Sequence, residues 1–269
     1  MNQLGIFIIS CDKYSDIWNP FFKMFFKYWA DCIYPIYLCS DSLTYNHFNV
    51  KSITVGTGLT WSQCLKYGLE NCPHDYIMLL QEDYIVHKKV NNEEINRFLN
   101  IAIQTQAACI KLVPFPAPDT LLAGYQDVGI ISKNTEYRVS TQAAIWNRKA
   151  LLSLIYAKEN PWQFEHNATK RSNQIDYLFL SICQRKKSLS KFYINYPYHY
   201  FLTSVVAGKW KRIAVRICKE NDVDVDLSKR QIEGFWNMVY YDYAPLPFKH
   251  IMDFVANRFL KKKYWGYNS

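Results

Sequence analysis

Tyr76-Ile77-Met78-Leu79-Leu80-Gln81-Glu82-Asp83 decides the fold of this chain. It is a continuous apolar run, long enough for one fully buried strand, that ends abruptly in two carboxylates. In an open α/β sheet, ligands bind just beyond the carboxyl ends of the strands. Two acids placed there can hold a divalent cation and the phosphates it neutralises, which brings a nucleotide-type ligand into view.

The flanking segments extend the same pattern. Residues 4–10 (LGIFIIS) read as another buried strand, and 12–16 as a polar turn. Asn19-Pro20 signals a helix start, with Asn as the cap and Pro at the first helical position. That helix is expected to run to about Ala30 and to carry Phe21, Phe22, Phe25, Phe26 and Trp29 on one stripe. Short strands are expected at 35–40, which Asp41 follows, and at 50–55. Thr60 caps a helix over 61–70. Asn91 or Asn92 starts another, with Glu93 and Glu94 well placed against its dipole. This order calls for a largely parallel, doubly wound sheet. Later in the chain, 109–113 and 137–146 read as strands, 114–118 as a rigid proline loop, 148–156 and 173–185 as helices, and 192–196 as a short strand. No repeat or low-complexity linker breaks the chain. The expectation is an α/β catalytic domain over 1–210, its sheet flanked by helices, with a C-terminal helical extension over 211–269.

With 269 residues and 49% hydrophobic content, the chain can bury a sizeable core. No run reaches the roughly 20 apolar residues of a membrane span. The first residues, Met1 to Ile6, carry no basic leader region, which points to a cytoplasmic location. The 8 cysteines are scattered without a C-x-x-C pair, which argues against a disulfide framework or a structural zinc site. The net charge of +9 suits nucleic acid, phosphorylated ligands or an anionic membrane surface. It is dense at Lys209-Trp210-Lys211-Arg212, Arg216 and Lys261-Lys262-Lys263.

Three constellations could carry chemistry. Ser10 and Asp12 follow the first strand, Asp41 the second, and Glu82 and Asp83 the fourth, so parallel strands would bring them to one edge. For Asp12 and Asp41 an ordinary exposed turn is the competing account. In Asn160-Pro161-Trp162-Gln163-Phe164-Glu165, Trp162 and Phe164 can wall a pocket around Glu165, and a carboxylate against apolar surface suits a general base. The competing account is a first-turn glutamate stabilising a helix dipole. In the segment from Tyr198 to Trp210, Gly208 permits close approach of a ligand, and Lys209, Lys211 and Arg212 could neutralise a diphosphate, or simply form a solvated basic turn. Gly56-x-Gly58 lacks the third glycine of a dinucleotide fingerprint. No phosphate-loop, nucleophile-elbow or H-E-x-x-H motif occurs.

These residues together resemble the GT-A glycosyltransferases, the nucleotide-sugar-dependent enzymes of bacterial polysaccharide and lipopolysaccharide assembly. The resemblance runs from Gly5 to about Arg171, and more loosely to Trp210. It rests on Ser10-Cys11-Asp12; on Trp61-Ser62-Gln63-Cys64-Leu65-Lys66-x-x-Leu69; on Gln81-Glu82-Asp83-Tyr84; on Tyr137 to Trp146 (YRVSTQAAIW); and on Asn160-Pro161-Trp162-x-Phe164-Glu165. The resemblance implies that Ser10, Asp12 and Asp41 hold the nucleoside, with Trp61 and Glu82 also on the nucleotide. Asp83 matches the last position of a D-x-D-type element and would ligate a divalent cation, Mn2+ or Mg2+; Gln81 stands where that element has its first Asp. It further implies Glu165 as the base of an inverting transfer, Lys209 and Trp210 in a segment closing over the diphosphate, and Gln142, Trp146 and Trp162 on the acceptor side. The partners implied are a nucleotide-diphosphate sugar and a glycan or lipid-linked acceptor.

Phe248, Ile251, Met252, Phe254, Val255, Phe259 and Leu260 fall at helical spacing before Lys261 to Trp265. A basic amphipathic helix of this kind suits an anionic membrane surface, and equally a helix packed on the domain. A nucleotidyltransferase would carry a Gly-rich basic loop after the first strand, and Ser10-Cys11-Asp12-Lys13-Tyr14 is not one. A nucleic-acid-binding module would interleave basic and aromatic residues on one surface, which only the Lys209 to Arg216 region offers. Gln81 also leaves room for a non-catalytic nucleotide-sugar-binding relative.

Overall fold

A computed structural model describes residues 3–183, 196–200 and 203–234. The chain divides into two compact units, Met1–Leu202 and Thr203–Ser269.

The first unit runs β1 (Leu4–Ile9), a 3₁₀ turn (Asp12–Tyr14), α1 (Ser15–Tyr28), β2 (Ile36–Ser40), β3 (Val50–Thr54), α2 (Trp61–Glu70), β4 (Tyr76–Gln81) and α3 (Asn92–Gln104). It continues with β5 (Cys109–Lys111), β6 (Thr120–Leu121), β7 (Val128–Ile130), β8 (Ala144–Asn147), α4 (Arg148–Leu154), α5 (Pro161–Ser172) and β9 (Phe179–Ile182). The strands form one nine-stranded sheet in the order β3-β2-β1-β4-β8-β5-β9-β7-β6. β3, β2, β1 and β4 are mutually parallel, β8 is antiparallel to both β4 and β5, and β9 is parallel to β5. Every strand except β8 and β7 therefore points the same way. The architecture is the expected α/β one, a mostly parallel sheet with helices against it.

Register sets the site. β1 pairs β4 from Leu4 with Tyr76 through Ile9 with Gln81, and β2 from Ile6 with Ile36 through Ile9 with Cys39. Leu4 and Ile6 to Ile9 on β1, all of β2, and Tyr76 to Leu80 on β4 are buried, so charged groups wait until the strands leave the sheet. Three strands stop level, and Ser10, Asp41 and Glu82 follow at a common edge.

Several elements depart from the sequence expectation. α1 begins at Ser15, not at Asn19-Pro20, and Pro20 lies inside it. Ile17 and Trp18 are buried with Phe21, Phe22 and Phe25, so the apolar stripe extends a turn ahead of the proline signal and packing carries the helix back with it. Of 137–146, only the last residues enter β8. Tyr137 has φ 55, outside any strand, and the stretch after it is held by buried side chains described below. The helix expected over 173–185 is absent within 173–183. Phe179–Ile182 is buried throughout and pairs as β9 with β5 and β7, because an apolar run this short takes whichever form its neighbours bond to. The short β6 and β7 carried no sequence signal. The strand expected at 192–196 falls, except for Tyr196, outside the described residues, as does the amphipathic helix of 248–265.

In the second unit β10 (Val205–Val206) and β11 (Lys209–Trp210) make a hairpin, and α6 (Arg212–Glu220) follows. Its core holds Trp210, fully buried, with Ala214 and Cys218 from α6. Arg230 donates to the Gly208 carbonyl at 3.1 Å, and Glu233 accepts from the Arg212 amide at 3.1 Å, capping α6 from outside its own sequence.

Gly68 of α2 faces the sheet. A Cβ there would lie 2.6 Å from Phe7 Cζ and 2.7 Å from Cys39 Sγ. Gly68→Ala is expected to lower stability by about 1–3 kcal/mol through overpacking, outweighing the helix-propensity gain of ~1 kcal/mol. Equilibrium urea unfolding measures it, and an unchanged or raised midpoint would show that α2 packs less closely than described.

Candidate active site

The edge where β1, β2 and β4 end gathers the first group of acids. The Asp41 carboxylate accepts from the Asp12 amide at 3.0 Å, and Cys64 Sγ lies 3.9 Å from its other oxygen. The Asp12 carboxylate accepts from the Ser42 and Leu43 amides at 3.0 Å and from the Ser42 hydroxyl at 2.5 Å. Burial by itself raises the Asp12 pKa, but these bonds, with the Ser42 hydroxyl foremost, more than offset it and hold the group below the usual aspartate value. Asp12 thus clamps the β2–β3 connection with its own carboxylate. Ser10, nearly buried, accepts from Trp18 Nε1 at 2.7 Å, a bond that ties α1 to this edge.

Glu82 and Asp83 are each 8% exposed. The Cys11 thiol reports the charge around it: burial, then the carboxylates of Glu82 and Asp41, push its pKa up to about 11. Ser10, Asp12, Asp41 and Glu82 are therefore brought together by the parallel register. Among the described residues, no group of three His, Cys, Asp or Glu side chains is placed to hold a metal ion by itself.

Glu165 comes from a different element, α5. α5 starts at Asn160, whose side chain and that of Gln163 cap each other's backbone amides, with Pro161 at the first position. The helix is braced by Glu159, which pairs with Arg171 at 2.7 Å and exchanges backbone and hydroxyl bonds with Ser62 at the start of α2. One turn in, Glu165 is half-buried. Its Oε1 accepts from the Thr141 amide at 2.7 Å and from the Thr141 hydroxyl at 2.8 Å. Oε2 takes no hydrogen bond from the described residues. The carboxylate is thus held by a tertiary contact rather than by its own helix N-terminus.

Around Thr141 lies a hydroxyl and amide network. Tyr84 Oη is 3.5 Å from Thr141 Oγ1 and accepts from Gln142 Nε2 at 3.3 Å. Tyr200 donates to Gln142 Oε1 at 2.7 Å and accepts from the Ala143 amide at 3.1 Å. The two tyrosine rings pack 4.6 Å apart. Burial raises both phenol pKa values well above the ordinary value, and the nearby Asp83 and Glu165 carboxylates raise them further, so both remain protonated donors. The charges of Asp83 and Glu165 thus act on one pair of rings.

The loop that presents Thr141 is anchored by two buried cations. Lys111, fully buried on β5, donates to the carbonyls of Phe115 and Tyr137 at 3.1 and 2.6 Å and to Ser140 Oγ at 3.0 Å. Arg138 donates to Ile131 O, Ser172 O and Ser172 Oγ, and its guanidinium lies 3.9 Å from the centre of the Phe179 ring. Neither cation was singled out from sequence. The only available cue was a lysine within an otherwise apolar strand, and its partners lie up to 29 positions away.

The remaining expected site residues are distributed differently. Trp61 opens α2 with its ring 5.3 Å from Phe164, beside the Glu165 helix. Trp162 is 55% exposed at the start of α5. Trp146 has no exposed surface and packs edge-on against Phe179, so it is a core residue and meets no acceptor. Gln142 has both ends of its amide on tyrosines. Lys209 and Trp210 belong to the second unit, where Trp210 is core, closed off from any ligand by its own burial.

Solved structures similar to this chain include glycosyltransferases. S. aureus TarS 1-349 is 11% identical over 69% of this chain and 59% of that one, with a TM-score of 0.44. Its complex with UDP gives 10% identity and 0.46. The galactosyltransferase LgtC, in complex with donor and acceptor sugar analogues, is 10% identical over 66% of this chain and 86% of that one, with a TM-score of 0.37. This chain spans less than two thirds of the TarS fragment. No family model and no curated protein matches the sequence. These are likenesses of chain arrangement at low identity, and no residue's role rests on them.

Lys111 gives a pH signature. Burial pushes its pKa down to about 8, with Cys109 and Glu165 pulling weakly the other way. Below that value the lysine is protonated in both the folded and the unfolded chain. Between there and the ordinary 10.5 only the unfolded chain keeps the proton, so this group adds stability as pH rises through the window. Urea unfolding of the wild type and of Lys111→Met across that range is expected to show the rising contribution in the wild type alone. Parallel pH profiles would mean that the lysine is not buried as a charged group.

Proposed function

We propose that the protein transfers a sugar from a nucleotide-diphosphate sugar to a hydroxyl of a glycan or lipid-linked acceptor, with inversion, in cell-surface polysaccharide assembly. The observation that carries this reading is that two kinds of carboxylate, Asp83 from the strand ends and Glu165 from α5, act on one pair of tyrosines, Tyr84 and Tyr200. Asp41, Glu82 and Asp83 follow the ends of buried parallel strands, where a nucleotide ligand belongs. Glu165 is oriented through one oxygen and keeps the other for a proton.

In the transfer, Glu165 takes the acceptor hydroxyl proton as that oxygen bonds to the anomeric carbon. The anomeric bond to the diphosphate breaks, and its electron pair leaves with the nucleoside diphosphate. Ser10 and Asp41, with Asp12 bracing the connection beside them, line the nucleoside side; Trp61 packs against the helix that carries the base, and Trp162 stands in its first turn. Asp83, with Glu82 next to it in sequence, would hold a divalent cation, Mn2+ or Mg2+, together with diphosphate oxygens. When bound, such a cation would neutralise the leaving group. An anionic membrane surface on the cytoplasmic side is where a lipid-linked acceptor would be met. No described helix is long and apolar enough to cross a membrane.

The test has two parts. Thermal shift with UDP, GDP, CDP, CMP and dTDP, each with and without manganese, is expected to give a shift with one nucleotide. Metal dependence of that shift would support Glu82 and Asp83 as cation ligands. A shift without metal would move diphosphate neutralisation to basic side chains, and no shift with any nucleotide would reject the reading. Glu165→Gln is expected to keep that shift while turnover falls about 10²–10⁴-fold. Full activity in this variant would remove Glu165 as the base.

A further inference from the structure

The Tyr196–Tyr200 segment is joined to the Glu165 helix through three consecutive residues, Thr141, Gln142 and Ala143. Its backbone docks on the stretch after the acidic pair: Val86 and Tyr200 form an antiparallel bridge, and the His87 amide donates to the His199 carbonyl at 3.1 Å. Tyr198, fully buried, donates to the Tyr84 carbonyl at 3.3 Å. Tyr200 then holds Gln142 by its side chain at 2.7 Å and Ala143 by its amide at 3.1 Å. The preceding residue is Thr141, both of whose donors grip Glu165 Oε1.

We propose that Tyr200 is a positioning residue for Glu165, acting through the 141–143 segment, so that docking of the Tyr196–Tyr200 segment sets the orientation of the carboxylate. The role of Glu165 as a base is taken from the proposed function; the coupling itself is independent of it. The donor sense of every link is fixed. Glu165 can only accept as a carboxylate, so the Thr141 hydroxyl donates to it and can only accept from Tyr84. Tyr84, having given its single proton, accepts from Gln142 Nε2, which leaves Oε1 to accept from Tyr200. Tyr200, its proton committed, accepts from Ala143. The 3.5 Å Tyr84–Thr141 contact is the longest link, so the main-chain route through Ala143 and Gln142 is the principal one.

This polarity explains why the site needs an amide at 142. A carboxylate there would accept from both tyrosines and draw the Tyr84 proton away from Thr141. It also assigns Gln142 to orienting the base rather than to holding the acceptor.

The test uses the full chain and no ligand. The Thr141 amide proton, bonded to a carboxylate at 2.7 Å, is expected to resonate far downfield, and Glu165→Gln is expected to move it upfield. Tyr200→Phe keeps the ring and deletes the hydroxyl; Gln142→Glu keeps the size and reverses one bond. Both are expected to shift the Thr141 resonance in the same direction as Glu165→Gln. A Thr141 resonance unchanged in both folded variants would overturn the coupling. If Tyr200→Phe fails to fold, Gln142→Glu decides alone. Once a nucleotide sugar is identified by the thermal-shift panel, Tyr200→Phe is expected to lower kcat about tenfold, a fraction of the 10²–10⁴-fold that a general base contributes, with the donor KM unchanged. A Glu165→Gln enzyme that stays active while the resonance still responds to Tyr200→Phe would reject the base and keep the coupling.

Discussion

A strand buried on both faces cannot carry a charged side chain unless partners satisfy it there, because an unpaired charged or polar group in the interior is costly. β1, β2 and β4 obey this, and their parallel register makes them leave together. The cluster of Ser10, Asp12, Asp41 and Glu82 is a consequence of that one constraint. The acids are at the edge because β1, β2 and β4 carry no charged side chain before it, and they lie near one another because three strands stop at the same level. Asp12 and Asp41 then stabilise the connection they start, by bonding across it.

The surroundings of Glu165 are built on a different principle. Residues 137–143 contribute no regular pairing of their own until β8 begins, and their conformation is set by side chains that reach in from elsewhere. Lys111 and Arg138 place cations in the interior, and each is satisfied by carbonyls and hydroxyls of the loop and its surroundings. A buried charge tolerates few alternatives, since any conformation that withdraws a partner leaves it exposed to the full desolvation cost. The loop is consequently held where Thr141 meets Glu165, and a carboxylate on a helix is oriented by a main-chain amide.

The two regions meet at tyrosines. Tyr84 follows the acidic pair and Tyr200 lies on a segment docked beside it, and both feel the charges of Asp83 and Glu165. Their burial keeps them neutral, which makes them donors and acceptors of fixed sense within a low-dielectric site. The second unit has its own small core around Trp210, closed by Glu233 capping α6.

Much of this was legible in the residues. The apolar run 76–80 ending in Gln81-Glu82-Asp83 and the Thr60 and Asn91 caps are local signals, and each produced the element it announced. Convergence of acids at one sheet edge follows from periodicity alone once the strands are parallel. The rest depends on partners distant in sequence. Phe179–Ile182 became a strand because β5 and β7 offered it hydrogen bonds; α1 began early because Ile17 and Trp18 had a core to enter; and Trp146 and Trp210, which read as ligand-facing aromatics, were claimed by packing. The placement of Glu165 against Thr141, and of Tyr200 behind it, spans 24 and 57 positions. The sequence determined which residues could end a strand or start a helix, since those choices involve neighbours a few positions away. Only the tertiary structure decided which side chains met, because that depends on which surfaces the folded chain brings together and which polar groups it leaves in need of a partner.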